Sequence, residues 1–191
     1  MTDRSRIYTK LGDDGSTGLL FGGRTSKGSL VIDVVGSIDE TVTALGAARA
    51  VCTDSATASI ILTLQRDLFV AAADIAANPR ARDKLTPRIS LVTAEMVADL
   101  ESTIDRLMSA KPLRPVFIVP GANQASALLD EARSTARRAE RRLSAMTADQ
   151  HPAINPQVRA YLNRVSDLVF VLARHAAGDD EEPASHDVVG P

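Results

Sequence analysis

Five arginines and one glutamate fall within the ten residues Arg133-Ser-Thr-Ala-Arg137-Arg138-Ala139-Glu140-Arg141-Arg142, in a chain whose formal net charge is only -2. Read as a helix, positions 133, 137 and 141 recur at i, i+4 and i+8 and share one face, while Arg138 and Arg142 form a neighbouring row. A row of guanidinium forks matches the oxygens of a phosphate chain. A solvated helix face laced with Asp130, Glu131 and Glu140 pairs is the competing reading. Nucleic acid ranks below both, because the chain lacks overall basic charge and interleaved aromatics. A second constellation, Tyr8-Thr9-Lys10-Leu11-Gly12-Asp13-Asp14-Gly15-Ser16-Thr17-Gly18 with Lys27 downstream, combines turning glycines, hydroxyl donors and two ammonium groups, the ingredients of an anion cradle. It has neither the GxxxxGK[ST] spacing nor a GxGxxG turn, so an ordinary turn-rich loop competes with it. A third, Tyr161-Leu-Asn163-Arg164-Val-Ser166-Asp167, puts polar groups on successive turns of an apolar helix, where they need partners: another helix or a ligand. The three histidines show no metal-ligand spacing, so no zinc or iron site is expected.

The elements that must position these groups are helical. With 191 residues, 45% hydrophobic content and 3% aromatics, the chain suits one domain of closely packed helices. The pattern predicts a loop segment over 1–28, a bundle over 29–177 and a disordered acidic tail over 178–191. Ser37 with Glu40 reads as the capping box that starts the first helix, which makes Asp39-Glu40 its N-terminal charge. Further helices are predicted at about 56–77, 93–109, 123–148 and 156–177, with 80–90 a charged linker. Val116 to Gly121 reads as a buried connector or a site wall. The fold expected from pattern alone is all-α, a five-helix bundle with an ordered N-terminal loop. The single Cys52 excludes an internal disulfide and fits a reducing, cytoplasmic setting, and no apolar run is expected to span a membrane.

Taken in order, these segments resemble the PduO-type ATP:cob(I)alamin adenosyltransferases from about Ile7 to Ala176. The resemblance rests on Tyr-Thr-Lys-x-Gly-Asp-x-Gly at 8–15, Gly36-x-x-Asp39-Glu40, Gln65-x-x-Leu68-Phe69, Phe117-Ile-x-Pro120-Gly121, Ala132-Arg133-x-x-x-Arg137-Arg138-Ala139-Glu140-Arg141, and Tyr161-Leu-Asn163-Arg164-x-Ser166-Asp167. It implies a homotrimer with active sites between subunits, and transfer of the 5′-deoxyadenosyl group of ATP to the cobalt of reduced cobalamin. It implies ATP contacts at Thr9, Lys10, Leu11, Gly12, Thr17, Gly18 and Lys27 of the loop, at Arg137, Arg138, Ala139, Glu140 and Arg141 of the Arg helix, and at Asn163. Asp39 and Arg133 match a salt bridge across the subunit interface. Phe117 matches the aromatic that helps displace the lower axial ligand of cobalamin. Mg²⁺ would bridge the ATP phosphates, and an adenosylcobalamin-dependent client enzyme and a cobalamin reductase are the implied partners.

The chain departs from the family pattern at Ala122, where a second Gly is usual after Pro-Gly, at Thr41-Val42 after Asp-Glu, and at Asp130, where the family often has His. These departures motivate a second reading, a non-catalytic protein that binds ATP and corrinoid and delivers adenosylcobalamin to a client enzyme.

Overall fold

A computed structural model describes residues 8–146 and 154–185. A two-stranded antiparallel hairpin, β1 (Ser16–Gly18) and β2 (Arg24–Ser26), precedes helices α1 (Leu30–Val51), α2 (Ser55–Ala76), α3 (Ala94–Ala110), α4 (Gln124–Ala145) and α5 (Pro156–Ala177). Two further short strands, β3 (Ile118–Val119) and β4 (Glu182–Pro183), pair with each other. Helix α1 lies between α4 and α2, α4 packs on α5, and α5 on α3.

Side chains at the helix starts explain most boundaries, since the first N–H groups of a helix have no partner within it. Asp54 accepts from the backbone N–H of Ala56 and Thr57 to start α2, and Thr93 does the same for α3 through Met96. Asn123 and Ser126 form a reciprocal capping box at α4. Asn155 caps α5, whose first residue is Pro156, and Gly178 with φ 70 ends it. The predicted stripes lie in one core: Leu129, Ala132, Ala136, Ala139 and Leu143 of α4, with Leu128 partly buried beside them, and Val158, Tyr161, Leu162, Val165, Leu168, Val169 and Leu172 of α5. Gln65 of the Gln-x-x-Leu-Phe motif donates from Nε2 to the Val42 carbonyl (2.9 Å), tying α2 to α1.

Three expectations are corrected. Helix α1 starts after Ser29, not at Ser37; Ser37 is buried and its hydroxyl donates to the Asp33 carbonyl (2.8 Å), the local bond by which serine is accommodated inside a helix. Asp39 and Glu40 therefore stand in mid-helix, away from the N-terminal dipole. The 116–121 segment is not buried, for Val116, Phe117 and Val119 are exposed, Phe117 by 89%. The acidic tail is ordered through Ser185: Glu181 is buried, its carbonyl accepts from Arg114 Nη1 (2.9 Å), and Glu182–Pro183 pair with β3. Its composition signalled solvation, but the basic side chains of the bundle supply partners. Residues 186–191, and positions 147–148 of the predicted fourth helix, lie outside the described residues. The no-membrane expectation stands, although α2 is long and apolar enough by length and composition to cross a membrane, with mean hydropathy 1.3. Its Ile61, Leu64, Leu68, Ala71 and Ile75 nevertheless line the bundle core.

One buried carboxylate holds the end of α2 and the hairpin's anchor point together. Asp74 is 1% exposed and accepts from Arg82 (2.5 Å), the Val92 backbone N–H (2.9 Å) and Asn155 Nδ2 (2.8 Å). Just beyond it, Leu20 of the loop bonds Ala76 and Asn78 through backbone groups (2.9 Å each), and Asn78 Nδ2 donates to the Gly22 carbonyl. Asp74→Ala strands three donors, one of them a guanidinium, and is expected to cost about 3 kcal/mol or more, measured by urea denaturation.

Candidate active site

The N-terminal segment forms a cradle of about 490 Å³ walled by residues 8–13 and 16–18 with Arg24 and Lys27. Its shape follows from short-range bonds. Asp14 accepts from the Ser16 backbone N–H (2.9 Å) and hydroxyl (2.7 Å), and these bonds, with Arg24 nearby, hold its carboxyl below the ordinary value. Lys27 Nζ donates to the Gly12 carbonyl (2.7 Å). A Cβ at Gly12 would lie 3.0 Å from that ammonium and 3.0 Å from the Ser16 carbonyl, so a side chain there would crowd both groups. Lys10 takes the left-handed conformation at φ 61, a cost for a non-glycine residue of the kind often found at ligand clamps. The structure thus gathers Thr9, Lys10, Leu11, Gly12, Thr17, Gly18 and Lys27 at one cavity.

Arg24 belongs to the same wall and was missed in the sequence. It donates to the Leu11 carbonyl (2.5 Å) and reaches Ser16 and Asp14. Its placement comes from the hairpin register, Gly18 opposite Arg24, which brings it back over the loop. The Gly22-Gly23 turn was the available signal.

On α4 the two arginine rows do different work. Arg138 pairs with Glu40, and Arg142 pairs with Asp33 (2.9 Å) and the Ser37 hydroxyl, so this row staples α4 to α1. Arg142 is thus an interhelix contact, and Arg138, expected at the nucleotide, is engaged by a carboxylate. Arg137 and Arg141 are exposed and form no ion pair among the described residues. Ala139 is buried 1% exposed beneath them and packs the core, so its side chain offers no ligand contact. Glu140 accepts from Asn163 Nδ2 (2.9 Å), and Asn163 Oδ1 accepts from Arg164 (2.5 Å). Arg164 also bonds Glu101 (2.8 Å). Burial raises the Asp167 carboxyl, while Arg164 and Arg137 pull it down and Glu140 pushes it up, which places Arg137 in the same electrostatic neighbourhood. The third sequence constellation thus meets the Arg row across the α4/α5 seam.

Arg133 lies apart from this group. Its Nε donates to Asp130 (3.3 Å) and its guanidinium sits 5.8 Å from the Phe170 ring centroid. Asp39 is exposed on α1 and forms no ion pair among the described residues, so the structure does not bring it to Arg133 within one chain. Nor does any hydrogen bond or ion pair among the described residues join the cradle to the Arg137 face. Two of the three departures are accommodated locally: Thr41 is buried and donates to the Ser37 carbonyl (2.8 Å), and the buried Asp130 carboxylate is neutralised by Arg174.

The cobalamin adenosyltransferase family pattern matches residues 7–176, spanning the cradle, the Arg helix and the Asn163 turn. The chain belongs to that family. Among its cobalamin adenosyltransferase relatives, a corrinoid adenosyltransferase from Mycobacterium leprae is 38% identical over 182 residues, covering 92% of this chain and 94% of the relative. Another from Citrobacter freundii is 36% identical over 169 residues, covering 88% and 93%. A solved phenylalanine-to-histidine variant of the PduO-type ATP:corrinoid adenosyltransferase from Lactobacillus reuteri, complexed with cobalamin and ATP, superposes with a TM-score of 0.79 at 28% identity, covering 90% and 91%. This cobalamin adenosyltransferase chain has the same helical bundle.

A smaller cavity of about 280 Å³ opens between α2, α3 and α5, away from the Arg row. There the fully buried Tyr161 donates its hydroxyl to Asp67 (3.1 Å). Burial raises the Asp67 carboxyl, outweighing the Tyr161 bond. Because the folded value lies above the unfolded one, the native state binds the proton more tightly, and that stabilising contribution is lost as pH rises through the raised value. Asp67→Asn is accordingly expected to raise the melting temperature at pH 7 and to leave it unchanged in acid below the ordinary carboxylate range, read by thermal scans at both pH values.

Proposed function

We infer that the protein transfers the 5′-deoxyadenosyl group of ATP to the cobalt of cob(I)alamin, forming adenosylcobalamin and releasing triphosphate. The observation that carries this is the exposed Arg137 and Arg141, without an ion pair among the described residues, beside the Glu140–Asn163 pair, in a family whose pattern runs through both this face and the loop cradle. Reduced cobalt is itself the nucleophile, so no Ser, Cys or His nucleophile is needed. A cobalt–carbon bond forms at C5′ as the C5′–oxygen bond breaks, and the electron pair leaves with triphosphate. The protein's work is to align the two substrates and to neutralise charge gathering on the leaving group. Lys27, Arg137 and Arg141 are the residues assigned to the phosphates, with Thr9, Lys10, Leu11, Gly12, Thr17, Gly18 and Arg24 enclosing the nucleotide and Asn163 orienting Glu140 at its edge.

Mg²⁺ would ride on the phosphate oxygens. No group of three His, Cys, Asp or Glu among the described residues is placed to hold it, and this cation commonly keeps several waters and takes few protein ligands. The active unit is a homotrimer in which the cradle of one subunit closes on the Arg137 face of the next. The lack of a bond between these two half-sites among the described residues of one chain, and a cradle rim that leaves Leu11 69% exposed, support that arrangement. Asp39 then pairs with Arg133 of a neighbouring subunit. The cytoplasm, where ATP is abundant and the free Cys52 stays reduced, is the setting this reading favours. An adenosylcobalamin-dependent enzyme and a cobalamin reductase are its natural partners. The carrier reading loses its main motive now that Asp130 is paired.

Anaerobic incubation with ATP and chemically reduced cobalamin is the test. Equal yields of adenosylcobalamin and triphosphate are expected, from a species whose light-scattering mass is three times the 20.3 kDa chain. ATP binding with no cobalt–carbon bond would sink the assignment.

A further inference from the structure

Phe117 is almost fully exposed and has no packing of its own to fix it. What holds its backbone is the strand pairing of Ile118–Val119 with Glu182–Pro183, completed by the Ala184 N–H donating to the Phe117 carbonyl (2.8 Å). The C-terminal strap is in turn fastened by Glu181, 8% exposed, which lies 3.4 Å from the guanidinium of Arg174. Arg174, 5% exposed on α5, bonds Asp130, 5% exposed on α4, and Asp130 holds Arg133 (3.3 Å). Both guanidinium groups lie over the Phe170 ring, at 5.5 and 5.8 Å. One buried chain of charges therefore connects the support of Phe117 to Arg133.

Its two ends are unequal. The contact at Glu181 is within ion-pair range but lacks hydrogen-bond geometry, leaving Glu181 Oε1 and Arg174 Nε without hydrogen-bond partners. Buried ion networks seldom repay their desolvation in stability, and well-packed apolar residues serve as well or better. A residue set of this kind, joining the support of an exposed aromatic to a second helix, points to placement.

We propose that Asp130, Arg174 and Glu181 are positioning residues for the corrinoid: they latch the C-terminal strap so that Phe117 and Arg133 are held in fixed relation. This rests on the adenosyltransferase reading. Arg174 acts through both neighbours, so loss of either carboxylate loosens the other end.

The test compares wild type with Asp130→Asn and Glu181→Gln, measuring KM for cob(I)alamin and for ATP and the hydrogen exchange of the Ala184 amide. Each variant is expected to raise the cob(I)alamin KM roughly fivefold or more with the ATP KM within about twofold, and the double variant is expected to be no worse than the weaker single, as for coupled sites. Asp130→Asn, though remote in sequence from the strap, is expected to speed Ala184 exchange by about tenfold. The proposal is overturned if both KM values move together, if neither moves, or if Ala184 exchange is unchanged in Asp130→Asn. A wild type that makes no adenosylcobalamin refutes the functional reading, and the exchange measurement then decides the latch by itself. If Asp130→Asn does not fold, Glu181→Gln decides by the same criteria.

Discussion

Arg137→Ala is expected to lower kcat/KM by about 30- to 1,000-fold, on the order of 2 to 4 kcal/mol of barrier, the cost of losing one charge-assisted donor to a departing anion. The fold should be untouched. Arg137 is exposed, forms no ion pair among the described residues, and lies on the α4 face opposite the buried Leu129, Ala132, Ala136 and Leu143. Arg137→Lys keeps the charge but loses the fork, so only part of the rate should return. The control is Arg142→Ala, which removes a bond to Asp33 and weakens the α1/α4 seam. Its effect should appear in denaturation midpoints and leave saturating turnover nearly intact. Steady-state kinetics with the melting temperature of each variant reads both; a severe kinetic loss at Arg142 with near-normal kinetics at Arg137 would reverse the assignment of the two rows.

Phe117→Ala is the second large effect. The ring is 89% exposed, so its truncation removes almost no buried area and should leave stability unchanged. A hydrophobic side chain kept in water at the tip of a two-residue strand is placed for contact with something apolar and flat. On the proposal that this ring contacts the corrinoid and not the nucleotide, turnover with cob(I)alamin is expected to fall about 10- to 100-fold, with the ATP KM within about twofold. Single-turnover absorption changes of the cobalt centre separate this from a defect in ATP binding. Unchanged corrinoid kinetics would remove Phe117 from the site.

Much of this architecture was legible in the sequence. The α5 boundaries follow from Asn155-Pro156 at one end and Gly178 at the other, and the apolar spacing of α4 and α5 named their buried faces. The start of α1 was not, because Gly36-Ser37 with Glu40 imitates a capping box; seven further residues of helix continue toward Ser29, and Ser37 bonds within the helix. The tail was misread because acidic composition describes solvation and is silent about Arg114 and Arg174, whose positions only the tertiary fold supplies. The same limit applies to the candidate site. Spacing separated the 137/141 row from the 138/142 row, but that Glu40 and Asp33 would engage the second row required knowing that α1 lies against α4. Arg24 escaped notice because a hairpin register, and no motif, carries it to the cradle.

The separation of cradle and Arg137 face within one chain has a genetic consequence. In the proposed trimer, two alleles, one crippled at Lys27 and the other at Arg137, damage opposite halves of a composite site. Co-expressed, they should complement: wherever an intact loop meets an intact helix across a mixed interface, one functional centre is rebuilt, although neither gene product works alone. An allele defective in both halves could rescue nothing and would instead silence the two sites it shares in any such trimer.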